Sequence, residues 1–162
     1  MSIDIAREHL RQWGKDDRIL EFPTSSATVE MAATAVGTMP ARICKTLAFR
    51  SEGGCVLVQT AGDAMIDNGK FKSVFGMKAR MLSPDETLCH TGHRVGGVCA
   101  FGISRDDVRV FADVSLKRFT TVFPACGSDN SAVELSPMEL FEISGALRWI
   151  DVCRDWDESL CV

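Results

Sequence analysis

Three small-residue segments and one lysine carry the residue types that could do chemistry. Thr91 to Gly102 reads Thr-Gly-His-Arg-Val-Gly-Gly-Val-Cys-Ala-Phe-Gly. Glycines let a backbone approach a ligand closely and reach positive φ, and the adjacent N–H groups of Gly96 and Gly97 could point at one developing oxyanion. The loop has neither the Gly-x-Gly-x-x-Gly of a dinucleotide site nor the Gly-Lys-Ser/Thr of a P-loop. Taken alone, it is equally a tight turn between two core strands. Lys45 lies in Ile43-Cys44-Lys45-Thr46-Leu47. In an extended segment it shares a face with Ile43, Leu47 and Phe49. Such a lysine either lays its stem on apolar surface with the ammonium in water, or faces a cleft where burial lowers its pKa and carboxylates raise it. Asp63, after the next strand, is a turn residue or a neighbour of Lys45. Gly127 and Ser128 make a third small-residue loop ahead of a strand. His90, His93 and Cys99 sit in or beside the glycine loop but complete no Ser-His-Asp or Cys-His set. Cys99 reads first as a buried thiol.

The elements that must hold these residues follow from periodicity and punctuation. Ser2 caps a helix carrying Ile3, Ala6, Leu10 and Trp13 at helical spacing, ended by Gly14. A short strand from Ile19 to Phe22 precedes Pro23. Thr24, Ser25 and Ser26 supply caps for a helix through Val29, Ala32, Ala33 and Val36, with Gly37 as its stop. One helical turn at Pro40 leads into the Lys45 strand, and Ser51-Glu52-Gly53-Gly54 returns the chain as a hairpin strand over Cys55 to Thr60. Asp67 caps a helix with Phe71, Val74 and Phe75 inward and Lys70 and Lys72 outward. Strands are expected at Lys78–Leu82, Val98–Phe101, Val108–Val114, Phe119–Phe123, Ala132–Leu135 and Arg148–Val152, then a polar tail. Ser83-Pro84-Asp85-Glu86 and Ser136-Pro137-Met138-Glu139 are both capping boxes with proline at the first helical position. Helix-start physics explains that echo without a repeat. The expected fold class is α+β: one domain over residues 1–162 with a core of about 22–152, built on a mixed, curved, barrel-like sheet with flanking short helices.

At 162 residues, 46% hydrophobic and 25% charged, the composition is that of a globular protein with a real core. No apolar run is long enough to span a bilayer, and the first residues lack a signal-peptide pattern, so a cytoplasmic protein without a membrane partner is expected. The seven cysteines are scattered, without Cys-x-x-Cys spacing, as expected of free thiols; neither a metal nor another cofactor is indicated. A net charge of −4 argues against a general nucleic-acid coat and against a DNA partner. Between Asn68 and Ser83, however, Lys70, Lys72, Lys78 and Arg80 stand with no acid. That strip is a local contact for a phosphate backbone or simply a solvated face.

Taken together and in this order, four segments resemble the YbaK/prolyl-tRNA-synthetase-associated editing domain family. They are the helix Thr28–Gly37 with Ile43-Cys44-Lys45-Thr46-Leu47, Ala61-Gly62-Asp63, Thr91 to Gly102, and Gly127 to Leu135. The resemblance implies a free-standing deacylase that hydrolyses a small non-cognate amino acid from mischarged tRNA for proline. It needs no cofactor or metal, and prolyl-tRNA synthetase is a second candidate partner. It places the family's central lysine at Lys45, its glycine-rich substrate loop at Gly96, Gly97 and Gly102, and its Gly-Ser pocket wall at Gly127 and Ser128. Phe22, Ser25 and Asp63 complete the implied substrate-binding set, and Lys70, Lys72, Lys78 and Arg80 the tRNA-binding set. Cysteine-specific relatives carry Ser-Pro where this chain has Cys99-Ala100, an aspartate at Ala132 and a tyrosine near Phe22. The acyl group is therefore left open among Ala, Cys, Ser or a similar residue. A non-catalytic module that binds tRNA or a synthetase through a vestigial pocket is the alternative.

Overall fold

Helix α1 (Ser2–Arg11) buries Ala6 and Leu10 as its spacing requires. Residues 2–162 are described in the computed structural model. Trp13, expected on the same stripe, is instead 46% exposed, because the helix stops at Arg11 and Gly14 turns the chain at a φ of 69°. After strand β1 (Ile19–Glu21), helix α2 (Val29–Val36) begins at Thr28, whose hydroxyl accepts from the Met31 N–H at 3.1 Å. The cap is therefore Thr28 rather than Thr24, Ser25 or Ser26, and is worth about 1 kcal/mol. Gly37 closes the helix in the left-handed conformation.

A turn of 3-10 helix (Pro40–Arg42) delivers the chain into β2 (Ile43–Ser51), which pairs antiparallel with β3 (Gly54–Ala61). Ser51 faces Gly54, leaving a two-residue turn at Glu52-Gly53. A Cβ on Gly54 would lie 2.0 Å from the Asp107 carbonyl oxygen, so glycine is what lets the next strand enter here. Strand β4 (Met65–Ile66) and helix α3 (Asn68–Phe75) follow, the helix capped by Asp67. Helix α4 (Pro84–Thr91) starts with a complete Ser83/Glu86 capping box. Then come β5 (Val108–Asp113), a 3-10 segment (Val114–Arg118), β6 (Phe123–Pro124) and β7 (Ser131–Val133). Helix α5 (Pro137–Ile143), with its Ser136/Glu139 box, precedes β8 (Trp149–Ile150) and β9 (Cys153–Arg154).

The main sheet has the order β6-β2-β3-β5-β8. It is mixed: β2 runs antiparallel to β3, while the β2–β6, β3–β5 and β5–β8 pairs are parallel. β1 with β7, and β4 with β9, form separate two-stranded ribbons, so the expected curved sheet is divided among three sheets. Central β3 is buried on both faces, which explains its nearly unbroken apolar run. Val56 and Val58 face one cluster with Phe49, Phe71 and Phe111; Cys55 and Leu57 face the other with Ala48, Leu82 and Ala100.

Three expected strands are not ladders. Lys78–Leu82 makes one bridge, Met81 to Phe49, and Val98–Phe101 is irregular. Phe119–Phe123 keeps strand pairing only at its end and a bridge from Val122 to Leu135. Burial without pairing accounts for all three, since Leu82, Cys99, Phe101 and Val122 are core residues. The expected polar tail is also held down: β9 pairs with β4, Trp156 and Leu160 pack on the core, and the Val162 N–H donates to Arg118 O.

Candidate functional site

Strand β2 forms the floor of a cavity of about 290 Å³, lined from Ile43 to Ala48. Ser26, Ala27, Val29 and Ala32 make one wall at the start of α2, and Met81, Leu82 and Thr87 another. Val95, Gly96 and Val98 come from the glycine loop, and Phe123, Ala125, Ser131 and Ala132 close the far end. Hydroxyls aside, these walls are apolar. Among the described lining residues the ionisable groups are Lys45 and the buried Cys44 thiol, whose pKa burial raises far above its ordinary value.

Lys45 is half-buried and makes no ion pair among the described residues. Burial lowers its pKa, an effect opposed by Cys153, Asp63 and Glu30. The Asp63 carboxylate acts at a distance, because it is already engaged by Arg118 at 2.6 and 2.9 Å. Lys45 thus offers a partly desolvated ammonium with donors to give.

The glycine loop is locked from behind. His93 is fully buried, and one ring nitrogen, Nε2, lies 2.8 Å from the Phe101 carbonyl and 3.4 Å from Cys99 Sγ. That makes Nε2–H the donor to the carbonyl, and burial holds the imidazole pKa down, so the ring is neutral. The Cys99 thiol is pushed up to about 12 by burial and is an inert core group rather than a nucleophile. The Gly97 N–H donates to Arg94 O at 3.0 Å, and the Gly97 carbonyl accepts from the Gly127 N–H at 3.0 Å. Gly97 therefore cannot supply the expected oxyanion donor. The cavity-lining residues on either side, Gly96 and Val98, have backbone N–H groups with no backbone partner among the described residues. Gly96 holds a φ of 103°, which favours glycine there.

Of the residues singled out from the sequence, Lys45 and Gly96 meet on the cavity. Gly97, Gly127 and Ser128 line a separate hollow behind the loop. A Cβ on Gly97 would fall 2.6 Å from the Ser128 nitrogen, and one on Gly127 2.4 Å from the Ser2 carbonyl oxygen, so Gly97 serves close packing of the two loops and Gly127 the close approach of α1. Ser128 Oγ lies 2.6 Å from Ser131 Oγ and 2.9 Å from Asn130 Oδ1, which links that loop to the cavity wall. Gly102 faces a hollow beside α1. Phe22 packs with Ile43, Phe123 and Ala132 behind the site, its carbonyl accepting from Asn130. Ser25 is exposed, its hydroxyl accepting from the Ala27 N–H at 3.3 Å.

In the basic strip, Lys70 is paired with Asp151 at 3.1 Å and also donates to Cys153 O. Lys72, Lys78 and Arg80 are exposed without ion pairs among the described residues, and Arg80 adjoins Met81 at the cavity edge. Arg94, beside Val95 on the lip, is likewise exposed; neither it nor Arg118 stands out in the sequence. Val98 has a sequence signal, its i, i+2 relation to Gly96, and Met81 and Leu82 have none.

The match to the aminoacyl-tRNA editing domain model covers residues 24–143, which contain the whole cavity. The chain belongs to this family. An uncharacterized Bacillus subtilis protein, YwhH, is 56% identical over 97% of this chain and all of its own length. The proline–tRNA ligase of Exiguobacterium sibiricum is 27% identical over 83% of this chain, which spans 25% of that longer protein. Among solved structures, one provisionally described as a trans-editing enzyme for prolyl-tRNA synthetase superposes with a TM-score of 0.85 at 28% identity, covering 94% of this chain and 97% of the other. The hypothetical protein APE2540 follows at a TM-score of 0.77 and 28% identity, covering 90% and 99%. The editing-domain fold and the mixed sheet expected from the sequence agree with these neighbours.

Proposed function

We propose that this editing domain hydrolyses the ester between a small amino acid and the 3′ end of tRNA for proline, acting in trans. The observation that carries this reading is a single half-buried lysine, free of any ion pair among the described residues, in an apolar cavity edged by the backbone N–H groups of Gly96 and Val98. An aminoacyl ester is already activated, so positioning and oxyanion stabilisation suffice without a side-chain nucleophile. Lys45 binds the acyl end and, with the loop amides, stabilises the negative charge that develops on the carbonyl oxygen as water adds. Ala27, Ala32, Ala48, Ala125 and Ala132 line the space, and larger side chains are rejected by clash. Lys72, Lys78, Arg80 and Arg94 meet the phosphates, with Lys70 contributing less because Asp151 already holds it.

The test is deacylation of tRNA for proline charged with Ala, Cys, Ser or Pro, by the native chain beside Lys45→Ala. Rapid loss of one small non-cognate ester, abolished by the substitution, is expected. Retention of every ester while tRNA still binds would replace this reading with the non-catalytic binding module.

A further inference from the structure

Every aminoacyl ester carries an amine on the carbon next to the reacting carbonyl, and a site for the ammonium form needs a counter-charge. This cavity holds the opposite. No carboxylate lines it among the described residues, and its one strong charge is the cation of Lys45. The acids nearby lie outside the lining. Asp63, beyond β3, is clasped by Arg118, and Glu30 is exposed on the first turn of α2. On α4, Glu86 caps Ser83 and pairs with Arg50. Asp129 adjoins the rim, its carbonyl accepting from the Ser26 N–H and its Cβ close to Gly96, but it lines the neighbouring hollow with Gly97 and Ser128 rather than the cavity. The Cys44 and Cys153 thiols, on β2 and β9, are held neutral by burial.

We propose, building on the deacylase reading, that the cavity accepts the acyl group with an uncharged α-substituent and therefore also cleaves 2-hydroxyacyl esters of tRNA. The aminoacyl ester reacts as its free-amine form, since a second cation beside Lys45 is repelled and finds no carboxylate in the lining to pair with. A lactyl ester, the hydroxyl counterpart of alanyl, has no proton to lose and meets no such barrier. The bond changes are the same for both. Water oxygen bonds to the acyl carbon, the bond from that carbon to the 3′ oxygen breaks, and the 3′ oxygen takes a proton from the water. The α-amine or α-hydroxyl leaves unchanged on the released acid.

The experiment uses the full chain, tRNA for proline charged with alanine, and the same tRNA after chemical deamination to the lactyl ester. Initial rates at subsaturating substrate are measured from pH 5.5 to 7.5, each corrected for uncatalysed hydrolysis. The α-amine titrates at about 7.7–8.0, so the alanyl rate is expected to rise about tenfold per pH unit. The lactyl rate should stay within about threefold across the window. Ala27→Asp, at an exposed position on the cavity wall, supplies the missing carboxylate and should raise alanyl turnover at pH 5.5 at least fivefold relative to lactyl. A flat alanyl profile, or refusal of lactyl while alanyl is cleaved, overturns the proposal. So does an Asp129→Asn variant that loses alanyl turnover selectively, because Asp129 would then be the ammonium partner. Hydrolysis of neither ester at any pH is a different result: it removes the deacylase reading itself.

Discussion

Two cations, half-buried Lys45 and buried Arg118, stand 73 residues apart in the sequence and are used in opposite ways. Arg118 has a side chain 4% exposed and every donor group occupied. Its Nε donates to Ser115 O at 2.8 Å, Nη1 to Asp63 and to Asp157 O at 2.9 Å, and Nη2 to Asp63 at 2.6 Å. Phe119 and Trp156 stack on it with centroids 4.7 and 4.8 Å from the guanidinium carbon. Lys45 is more open, has no ion pair among the described residues, and has its pKa lowered by burial. A buried charge with each of its nitrogens engaged is a structural clamp, and one without a charge partner holds capacity for a ligand.

The comparison is broken most directly at the clamp. Arg118→Met should lower stability by about 3–5 kcal/mol, towards the lower end because Asp63 keeps some solvent, as read by chemical denaturation. Arg118→Lys should not rescue it, since an ammonium cannot reproduce the fork. Lys45→Met should do the reverse. Deacylation should fall about 10²–10³-fold, as for loss of one oxyanion donor, while the melting temperature holds or rises, the gain staying under about 1 kcal/mol. A Lys45 variant that unfolds would show the lysine to be structural, and an Arg118 variant that stays stable but loses turnover would reverse the two assignments.

Smaller effects sharpen the picture. Gly97→Ala drives a methyl onto the Ser128 backbone, and should cost about 1–3 kcal/mol and slow turnover through the displaced loop. His93 gives a pH signature. Its folded pKa is depressed, so its contribution is complete above the free-histidine value near 6.5 and is lost as pH falls below it, when the unfolded chain takes up a proton that the buried ring refuses. Denaturation midpoints between pH 7 and 5 should therefore decline less steeply in His93→Gln than in the native chain. Lys78→Gln and Arg80→Gln should each lower the salt dependence of tRNA binding by about one phosphate contact, a change in log–log slope of about 0.7–0.9, with stability unchanged.

What the sequence made legible was whatever is decided locally. The capping boxes at Ser83 and Ser136, the Gly37 stop, the Glu52-Gly53 turn and the apolar run of β3 all rest on neighbouring residues, and all appear in the fold. Val98–Phe101 failed because its apolar residues are buried beneath other elements without a strand partner, and composition alone cannot separate those cases. Trp13 failed because helical spacing continued past the point where the helix ends. At the site, Lys45 was visible as a charge out of place on an apolar face. Asp63 reads as a turn residue or a neighbour of Lys45 and, by resemblance, as part of the substrate-binding set; its pairing with Arg118 was not legible, since that partner is 55 positions away and sits in a run that reads as strand and turn. The amides left open beside the cavity are those of Gly96 and Val98 rather than Gly96 and Gly97, because one turn hydrogen bond, Gly97 N–H to Arg94 O, engages the latter.

The seven thiols give the molecule a clock. All are free; Cys89 and Cys161 are exposed, and Cys44, Cys55, Cys99, Cys126 and Cys153 are buried. A thiol reagent should mark the exposed pair at once, on α4 and near the end of the tail, and reach the others only as the fold opens. Cys44 and Cys99 lie under the floor and loop of the cavity, and Cys153 lies on the strand that fastens the tail. The order in which those labels appear would record which part of the protein breathes first.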